Sequence, residues 1–238
     1  MPLPTSPKPK RPVRSLPGHE AGAGELPCVL ITGFEAFGDD PSGQGLNPSA
    51  LAARALHGKR IAGHRVVACV LPCVFGQSIA TLKAQVMAHR PALIVCVGQA
   101  GGRAGISIER IAVNLDDAPL ADNAGQVRCN TPVVVGGPAA YFSTLPVHAM
   151  LAALQRAGTP CELSSSAGHF VCNHVFYALM HLLAKNLLAK NKSAVRGGFV
   201  HVPYLPEQAV GLATPSMTLD QVTQGLKLAV RAALAQPR

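Results

Sequence analysis

The sequence predicts an α/β fold: a three-layer α/β/α sandwich with a mostly parallel central sheet in a single domain. Short apolar runs typical of buried strands alternate along the chain with segments that have the apolar spacing of helices. Such alternation favours a parallel sheet with helices on both faces. The length of 238 residues fits one domain. A composition of 48% hydrophobic and 4% aromatic residues indicates a core built mostly from aliphatic side chains.

The predicted elements begin near Pro27. Asn47 is a good cap for the first helix, and Pro48 suits its first position. The Thr218-x-x-Gln221 spacing is a capping box that opens the last helix. The segment 106–114 alternates and indicates a strand or a hairpin arm. The other predicted strands are 28–32, 64–71, 92–97 and 198–202, and the helices are 48–58, 78–90, 146–158, 172–189 and a final one after Thr218.

The basic charge is concentrated at the start of the chain. Residues 1–26 are rich in Pro, Gly and basic residues, which predicts a disordered tail ahead of a domain at 27–238. The formal net charge is +9, and four of those charges fall in the first fourteen residues. No basic stripe follows, so we expect no specific nucleic-acid partner. Polyanion binding through the tail is a weaker alternative.

Several classes of protein are disfavoured by the sequence. No uncharged apolar run reaches the ~18 residues of a membrane helix, and prolines interrupt any signal-like segment after the basic start. The seven cysteines are odd in number, and Cys69 and Cys96 lie in apolar runs as small core residues would. A reducing cytosol is therefore the expected location.

Three residues are candidates for chemistry. Cys172 follows a Gly-containing turn and opens a long helix, where the helix dipole favours a thiolate. His201 ends an apolar strand, where sites collect in parallel sheets. Glu109 is a carboxylate inside a strand-like run and needs a partner there. Taken alone, the cysteine fits a buried structural position about as well as a catalytic one, and a lone strand histidine is more often a core residue than a catalytic base.

Four stretches in order resemble the pyrrolidone-carboxylate peptidases, also called pyroglutamyl peptidase type I. They are TGFEAFG (32–38) with NPS (47–49), VGQAGGRAGISIERIAVN (97–114), AGHFVCNHVFY (167–177) and GFVHVPYLPEQ (198–208). The similarity runs from about Cys28 to the final helix. Several long motifs in the same order are far more specific than any one of them.

The resemblance implies a cysteine peptidase that removes an N-terminal pyroglutamyl residue. It implies Cys172 as the nucleophile, His201 as the base and Glu109 as the third member of a triad that works through a thioester. It places Phe34 and Phe37 around the lactam ring and Gln99 at the active site. It further implies small pyroglutamyl peptides as partners, no cofactor and a homotetramer.

Three positions depart from the family pattern. Pro119 stands where the family usually has an arginine near the active site, and Ala121 replaces a proline of the same motif. His169 stands where the family usually has a threonine. The first departure keeps open an alternative function: a family member with little turnover that binds pyroglutamyl peptides.

Two further patterns resemble binding motifs. His169, Cys172 and His174 resemble a metal cluster, but Cys172 and His174 do not share a helix face, and no fourth ligand has suitable spacing. The glycine-rich segment 98–105 lacks the G-x-G-x-x-G pattern of a dinucleotide site. We therefore expect no metal and no cofactor.

Overall fold

The computed structural model describes residues 27–38, 42–185 and 195–237. The tail predicted at residues 1–26 lies outside them, and so do residues 186–189 of the predicted helix 172–189. Five helices are present in the described residues: α1 (Pro48–Leu56), α2 (Gln77–His89), α3 (Val147–Arg156), α4 (Val171–Ala184) and α5 (Leu219–Ala235). No helix of this described part is both long enough and apolar enough to span a bilayer.

Eleven strands lie within the described residues. The first six are β1 (Cys28–Phe34), β2 (Arg60–Ile61), β3 (His64–Leu71), β4 (Leu93–Gln99), β5 (Ile106–Glu109) and β6 (Ile111–Val113). The other five are β7 (Asp116–Ala118), β8 (Arg128–Thr131), β9 (Ala140–Phe142), β10 (Cys161–Ser164) and β11 (Arg196–Val202).

Seven strands form the central sheet, in the order β10-β5-β11-β4-β1-β3-β2. Neighbouring strands are parallel except for the pairs β5/β11 and β2/β3. Two small antiparallel pairs, β6/β9 and β7/β8, lie outside this sheet. The prediction of a mostly parallel sheet is confirmed.

Helices cover both faces of the sheet. One core cluster joins α1, α3 and α5 to the sheet, and the other joins α2 and α4 to its opposite face. Strand β4 shows why, because its side chains alternate between the two clusters: Leu93, Val95 and Val97 belong to the first, and Ile94 and Cys96 to the second. The three-layer sandwich expected from the sequence is confirmed.

The predicted helix starts are also observed. The Asn47 side chain accepts a hydrogen bond from the Ser49 backbone N–H at 3.0 Å, and Thr218 and Gln221 form the reciprocal capping box. The predicted strand 106–114 is instead interrupted at Arg110, which separates β5 from β6. The adjacent polar residues Glu109 and Arg110 interrupt the alternation at this point, so the sequence does carry a local signal for the break.

Candidate active site

Cys172 is the second residue of α4. The loop 165–170 leads from β10 into this helix, and Phe170 at the N-cap position has an extended backbone. The cysteine side chain packs in the cluster on the α2/α4 face and is buried. The position at a helix start, predicted from the sequence, is therefore observed.

Gly98 provides the space for the Cys172 thiol. A Cβ at position 98 would lie 2.8 Å from Cys172 Sγ and 2.8 Å from Cζ of Phe199, which is closer than real Cβ contacts. Gly98 is on β4, and its register partner on the parallel strand β11 is His201. Residues paired in this way project to the same face of a sheet. The thiol and the imidazole are thus on the same side.

His201 and Glu109 are hydrogen-bonded to each other. His201 Nδ1 lies 2.7 Å from Glu109 Oε1, and both side chains are almost fully excluded from solvent. Because a carboxylate only accepts, Nδ1 carries the proton and donates. The other ring nitrogen, Nε2, makes no hydrogen bond within the described residues. It is the nitrogen left available for a proton from the thiol.

The antiparallel pairing of β5 explains the burial of Glu109. Ser107 pairs with His201 and Ile108 with Val200. Because β5 is antiparallel to β11, Glu109 lies farther than Ser107 from the carboxyl-terminal end of β11. Glu109 is therefore farther than His201 from that edge of the sheet. It shares a face with Ser107, as alternation requires.

Burial controls the protonation of the cysteine and histidine. It raises the pKa of the Cys172 thiol, an effect increased by Cys73 and Glu109 and opposed by the charge of Arg103. Burial also lowers the pKa of His201, although the hydrogen bond and charge of Glu109 act to raise it. Both directions favour a neutral thiol beside a neutral imidazole. Desolvation thus opposes the thiolate that the position at the helix start favours.

Phe34 and Phe37, both expected at the ring of the substrate, differ in their surroundings. Phe34 is 1% exposed, and its ring centroid is 6.3 Å from that of Phe199 in the core. Phe37 is half-buried, and its ring centroid is 5.7 Å from that of Phe170, the residue preceding α4. Only Phe37 presents surface at the entrance to the helix that carries Cys172.

Gln99 lies at the end of β4, next to Gly98. By strand alternation it starts on the opposite face from Gly98, and it is half-buried. Its Oε1 accepts a hydrogen bond from Gln208 Nε2 at 3.0 Å. The amide of Gln208, a residue that was not among those predicted for the site, therefore holds Gln99 at the sheet edge.

The orientation of Gln208 is fixed by its other contacts. Its Oε1 accepts from the Leu205 backbone N–H at 3.1 Å, and its Nε2 also donates to the Leu46 carbonyl at 3.3 Å. A backbone N–H can only donate and a carbonyl can only accept, so these partners determine which end of the amide is nitrogen. The Gln99 oxygen is consequently occupied, and its NH₂ is the group left to donate elsewhere.

Arg103 is a second residue that the sequence analysis missed. It lies in the loop between β4 and β5, and its Nη1 is 3.0 Å from Glu109 Oε1. Its Nη2 donates to the Ser166 carbonyl at 3.0 Å. Arg103 belongs to the glycine-rich stretch that resembles a nucleotide motif, and its partner Ser166 is 63 residues away in the chain.

A second buried imidazole and carboxylate pair joins α4 to β7. His174 Nδ1 is 2.8 Å from Asp116 Oδ2, and Arg128 Nη1 is 2.8 Å from the same oxygen. Unlike His201, His174 has its Nε2 occupied by the Gly76 backbone N–H at 3.0 Å. This histidine is thus a structural residue. The described residues contain no cluster of three or more metal-ligating side chains.

The three family departures, Pro119, Ala121 and His169, are all on the surface. Pro119 is exposed in the turn after β7, and His169 is exposed in the loop before α4. Ala118, beside Pro119, pairs with Arg128 across the β7/β8 hairpin. A cation therefore does lie next to this segment, bound to Asp116.

Comparison with known proteins gives one consistent result. The family model described as pyroglutamyl peptidase matches residues 28–236. The pyrrolidone-carboxylate peptidase of Cupriavidus taiwanensis is 51% identical over 211 residues, covering 88% of this chain and 94% of that protein. Pyrrolidone-carboxylate peptidase 1 of Ralstonia nicotianae is 50% identical, with coverage of 88% and 94%. The crystal structure of pyroglutamyl peptidase I from Bacillus amyloliquefaciens superimposes with a TM-score of 0.82 at 39% identity, covering 89% of this chain and 97% of that one.

The fold, together with these relatives, defines the class as a cysteine-type hydrolase. Within that class, the chain belongs to the pyroglutamyl peptidase family.

Proposed function

We propose that this protein removes an N-terminal pyroglutamyl residue from small peptides, with Cys172 as nucleophile, His201 as general base and Glu109 as the residue that orients the imidazole. The observation that carries the proposal is the 2.7 Å contact between His201 and Glu109, on the sheet face where the Cys172 thiol packs against Gly98. A nucleophile, a base and an orienting carboxylate arranged in this way are the parts that acyl transfer needs.

The first half of the reaction forms a thioester. His201 Nε2 takes the thiol proton as Sγ attacks the pyroglutamyl carbonyl, and Glu109 stabilises the imidazolium that results. The backbone N–H groups at the start of α4 are suited to hold the oxyanion of the tetrahedral intermediate. The C–N bond then breaks, His201 gives its proton to the departing amine, and the pyroglutamyl group stays on Cys172.

The second half restores the enzyme. His201 removes a proton from a water molecule, which attacks the thioester carbonyl. The C–S bond breaks, the thiolate recovers its proton from His201, and free pyroglutamate leaves. Since burial favours a neutral thiol and a neutral imidazole at rest, proton transfer accompanies the attack rather than preceding it.

The chemistry of the lactam determines how it is recognised. A pyroglutamyl terminus has no free amine, so a carboxylate clamp would serve no purpose. The ring offers apolar faces, one carbonyl and one N–H, which suit an aromatic wall and a few placed hydrogen bonds. Phe37 supplies the wall. Gln99 starts on the opposite face but is the last residue of β4, so its NH₂ reaches over the sheet edge to donate to the lactam.

The test is release of a chromophore from a pyroglutamyl amide by the purified protein. Cys172→Ser should lower turnover at least about a thousandfold, and Glu109→Gln about a hundredfold or more. Cys73→Ser is the matched control, because the Cys73 thiol is buried in the same cluster as Cys172 but lies after β3 and not at the start of α4. It should stay active.

Two results would count against the proposal. If Cys172→Ser keeps near-full activity while Cys73→Ser loses it, the nucleophile is misassigned. If the wild-type protein binds a pyroglutamyl peptide but releases no product, the binding function with little turnover replaces the peptidase.

A further inference from the structure

Arg103 connects two parts of the site that come from separate regions of the chain. Its guanidinium contacts Glu109 Oε1 through Nη1 and the Ser166 carbonyl through Nη2, both at 3.0 Å. Glu109 is on β5, whereas Ser166 is in the loop 165–170 that leads into α4 and Cys172. One planar side chain thus spans the carboxylate and the segment that precedes the nucleophile.

We propose that Arg103 is a positioning residue for the reaction: it fixes Glu109 relative to the loop before Cys172 and places a permanent positive charge beside the pair formed by His201 and Glu109. The inference rests on the proposed function and deepens it. Arginine is suited to both tasks, since its donors form a rigid fork and its charge persists at any working pH.

The arrangement of hydrogen bonds at Glu109 explains why a second donor is needed. His201 and Arg103 share the single oxygen Oε1, while Oε2 has no hydrogen-bond partner among the described residues. With His201 as its only partner, a fully buried carboxylate would rotate more freely and take the imidazole with it. The guanidinium restricts that rotation. Arg103 itself is 23% exposed, so part of its charge remains solvated.

The charge of Arg103 acts on the protonation of the whole site. Removing one proton from a site that holds both the thiol and the imidazolium is favoured by a nearby cation, whichever of the two groups releases it. The titratable groups around the pair come from every neighbouring element: Glu109 on β5, Glu162 on β10, Cys73 after β3, Cys96 on β4 and Arg103 in the 100–105 loop. Of these named groups, Arg103 is the one that carries a positive charge.

Loss of the Arg103 charge should move both limbs of the rate profile to higher pH. With Arg103 neutralised, the fully protonated site persists to higher pH, so the acid limb of the rate profile moves to higher pH. The basic limb moves the same way, because loss of the second proton also becomes harder. The exposed Glu162 lies 3.7 Å from Arg103 and is 61% exposed, so it offsets the cation only weakly.

The experiment compares Arg103→Met, Arg103→Lys and the control Arg110→Met, which removes an exposed charge next to Glu109 in sequence. The pH profile of kcat/KM on a pyroglutamyl amide is measured for each. So is the pH profile of Cys172 alkylation by iodoacetamide, followed by mass spectrometry of the Cys172 peptide. Melting temperatures confirm that each variant is folded.

Arg103→Met should move both limbs, and the alkylation profile, to higher pH by about 0.5–1 unit. Arg103→Lys keeps the charge but loses the second arm of the fork, so its profile should stay in place while kcat falls about tenfold. Arg110→Met should change neither. A folded Arg103→Met variant with an unmoved profile, or an equal shift in Arg110→Met, would overturn the proposal.

The two readouts separate this inference from the proposed function. If the wild-type protein hydrolyses no pyroglutamyl amide, the proposed function fails, and the alkylation profile still decides the role of Arg103. If the wild-type protein is active and the alkylation and rate profiles of Arg103→Met match those of the wild type, only the inference about Arg103 fails.

Discussion

The Cys172 thiol lies so close to Gly98 that a Cβ at position 98 would be 2.8 Å from Sγ. The same Cβ would meet the ring of Phe199 on its other side, also at 2.8 Å. Phe199 in turn packs against His201, with ring centroids 4.9 Å apart. The absence of a side chain at one position of β4 therefore sets where the thiol lies relative to the imidazole.

Gly98→Ala should consequently impair hydrolysis more than folding. The new methyl group displaces Sγ or Phe199, and small displacements of a nucleophile cost about a hundredfold in rate. The control is Gly197→Ala on β11, whose nearest atoms are the flexible end of Leu183 at 2.9 Å and of Leu179 at 3.1 Å. Assays of kcat/KM alongside melting temperature test this. Full activity in a folded Gly98→Ala protein would show that a methyl group at position 98 does not displace the thiol.

Replacing the two phenylalanines of the TGFEAFG stretch should have different effects, one on stability and the other on KM. Phe34→Ala leaves a cavity in the core and should cost about 3–5 kcal/mol of unfolding free energy. Phe37→Ala should cost much less stability, because Phe37 is only half-buried, but it should raise KM for pyroglutamyl substrates without slowing alkylation of Cys172. Urea unfolding and steady-state kinetics measure the two quantities. Equal loss of stability in both variants would contradict the placement of Phe37 at the substrate site.

Gln208→Glu should weaken substrate binding through Gln99. The carboxylate keeps an acceptor for the Leu205 N–H but presents oxygen to the Gln99 oxygen and the Leu46 carbonyl, so the Gln99 amide is expected to turn over. Its donor would then no longer face the substrate. KM should rise several-fold with a smaller change in kcat. A variant with an unchanged KM and normal stability would show that Gln99 is not oriented in this way.

The sequence predicted the parts of the fold that depend on local patterns. Alternating apolar runs gave the sheet and its helices, and the side chains of Asn47 and Thr218 marked two helix starts that the structure confirms. The antiparallel direction of β5 was not predicted. The adjacent polar residues Glu109 and Arg110 interrupt the alternation of 106–114 and mark where β5 ends, but they do not indicate its direction. Strand direction depends on tertiary pairing, which no local pattern records.

The candidate site was predicted unevenly for the same reason. The motif residues Cys172, His201 and Glu109 are brought to one face of the sheet. Arg103 and Gln208 have partners far away in the chain, so their contacts appear only once the loops are placed. Phe34 and Phe37 have similar sequence surroundings, but Phe34 is fully buried and Phe37 is half-buried. Tetramer formation, the disordered tail and the cytosolic location stay predictions.

The most direct measurement is to capture the acyl-enzyme on Cys172. A pyroglutamyl ester or amide is mixed with the protein, the reaction is quenched in acid within milliseconds to seconds, and the digested protein is examined by mass spectrometry. The account predicts a mass increase of one pyroglutamyl acyl group on the peptide containing Cys172, which disappears as product forms and is absent in Cys172→Ser. Product formation with no acyl group on Cys172 at any quench time, or with the group on another cysteine, would contradict it.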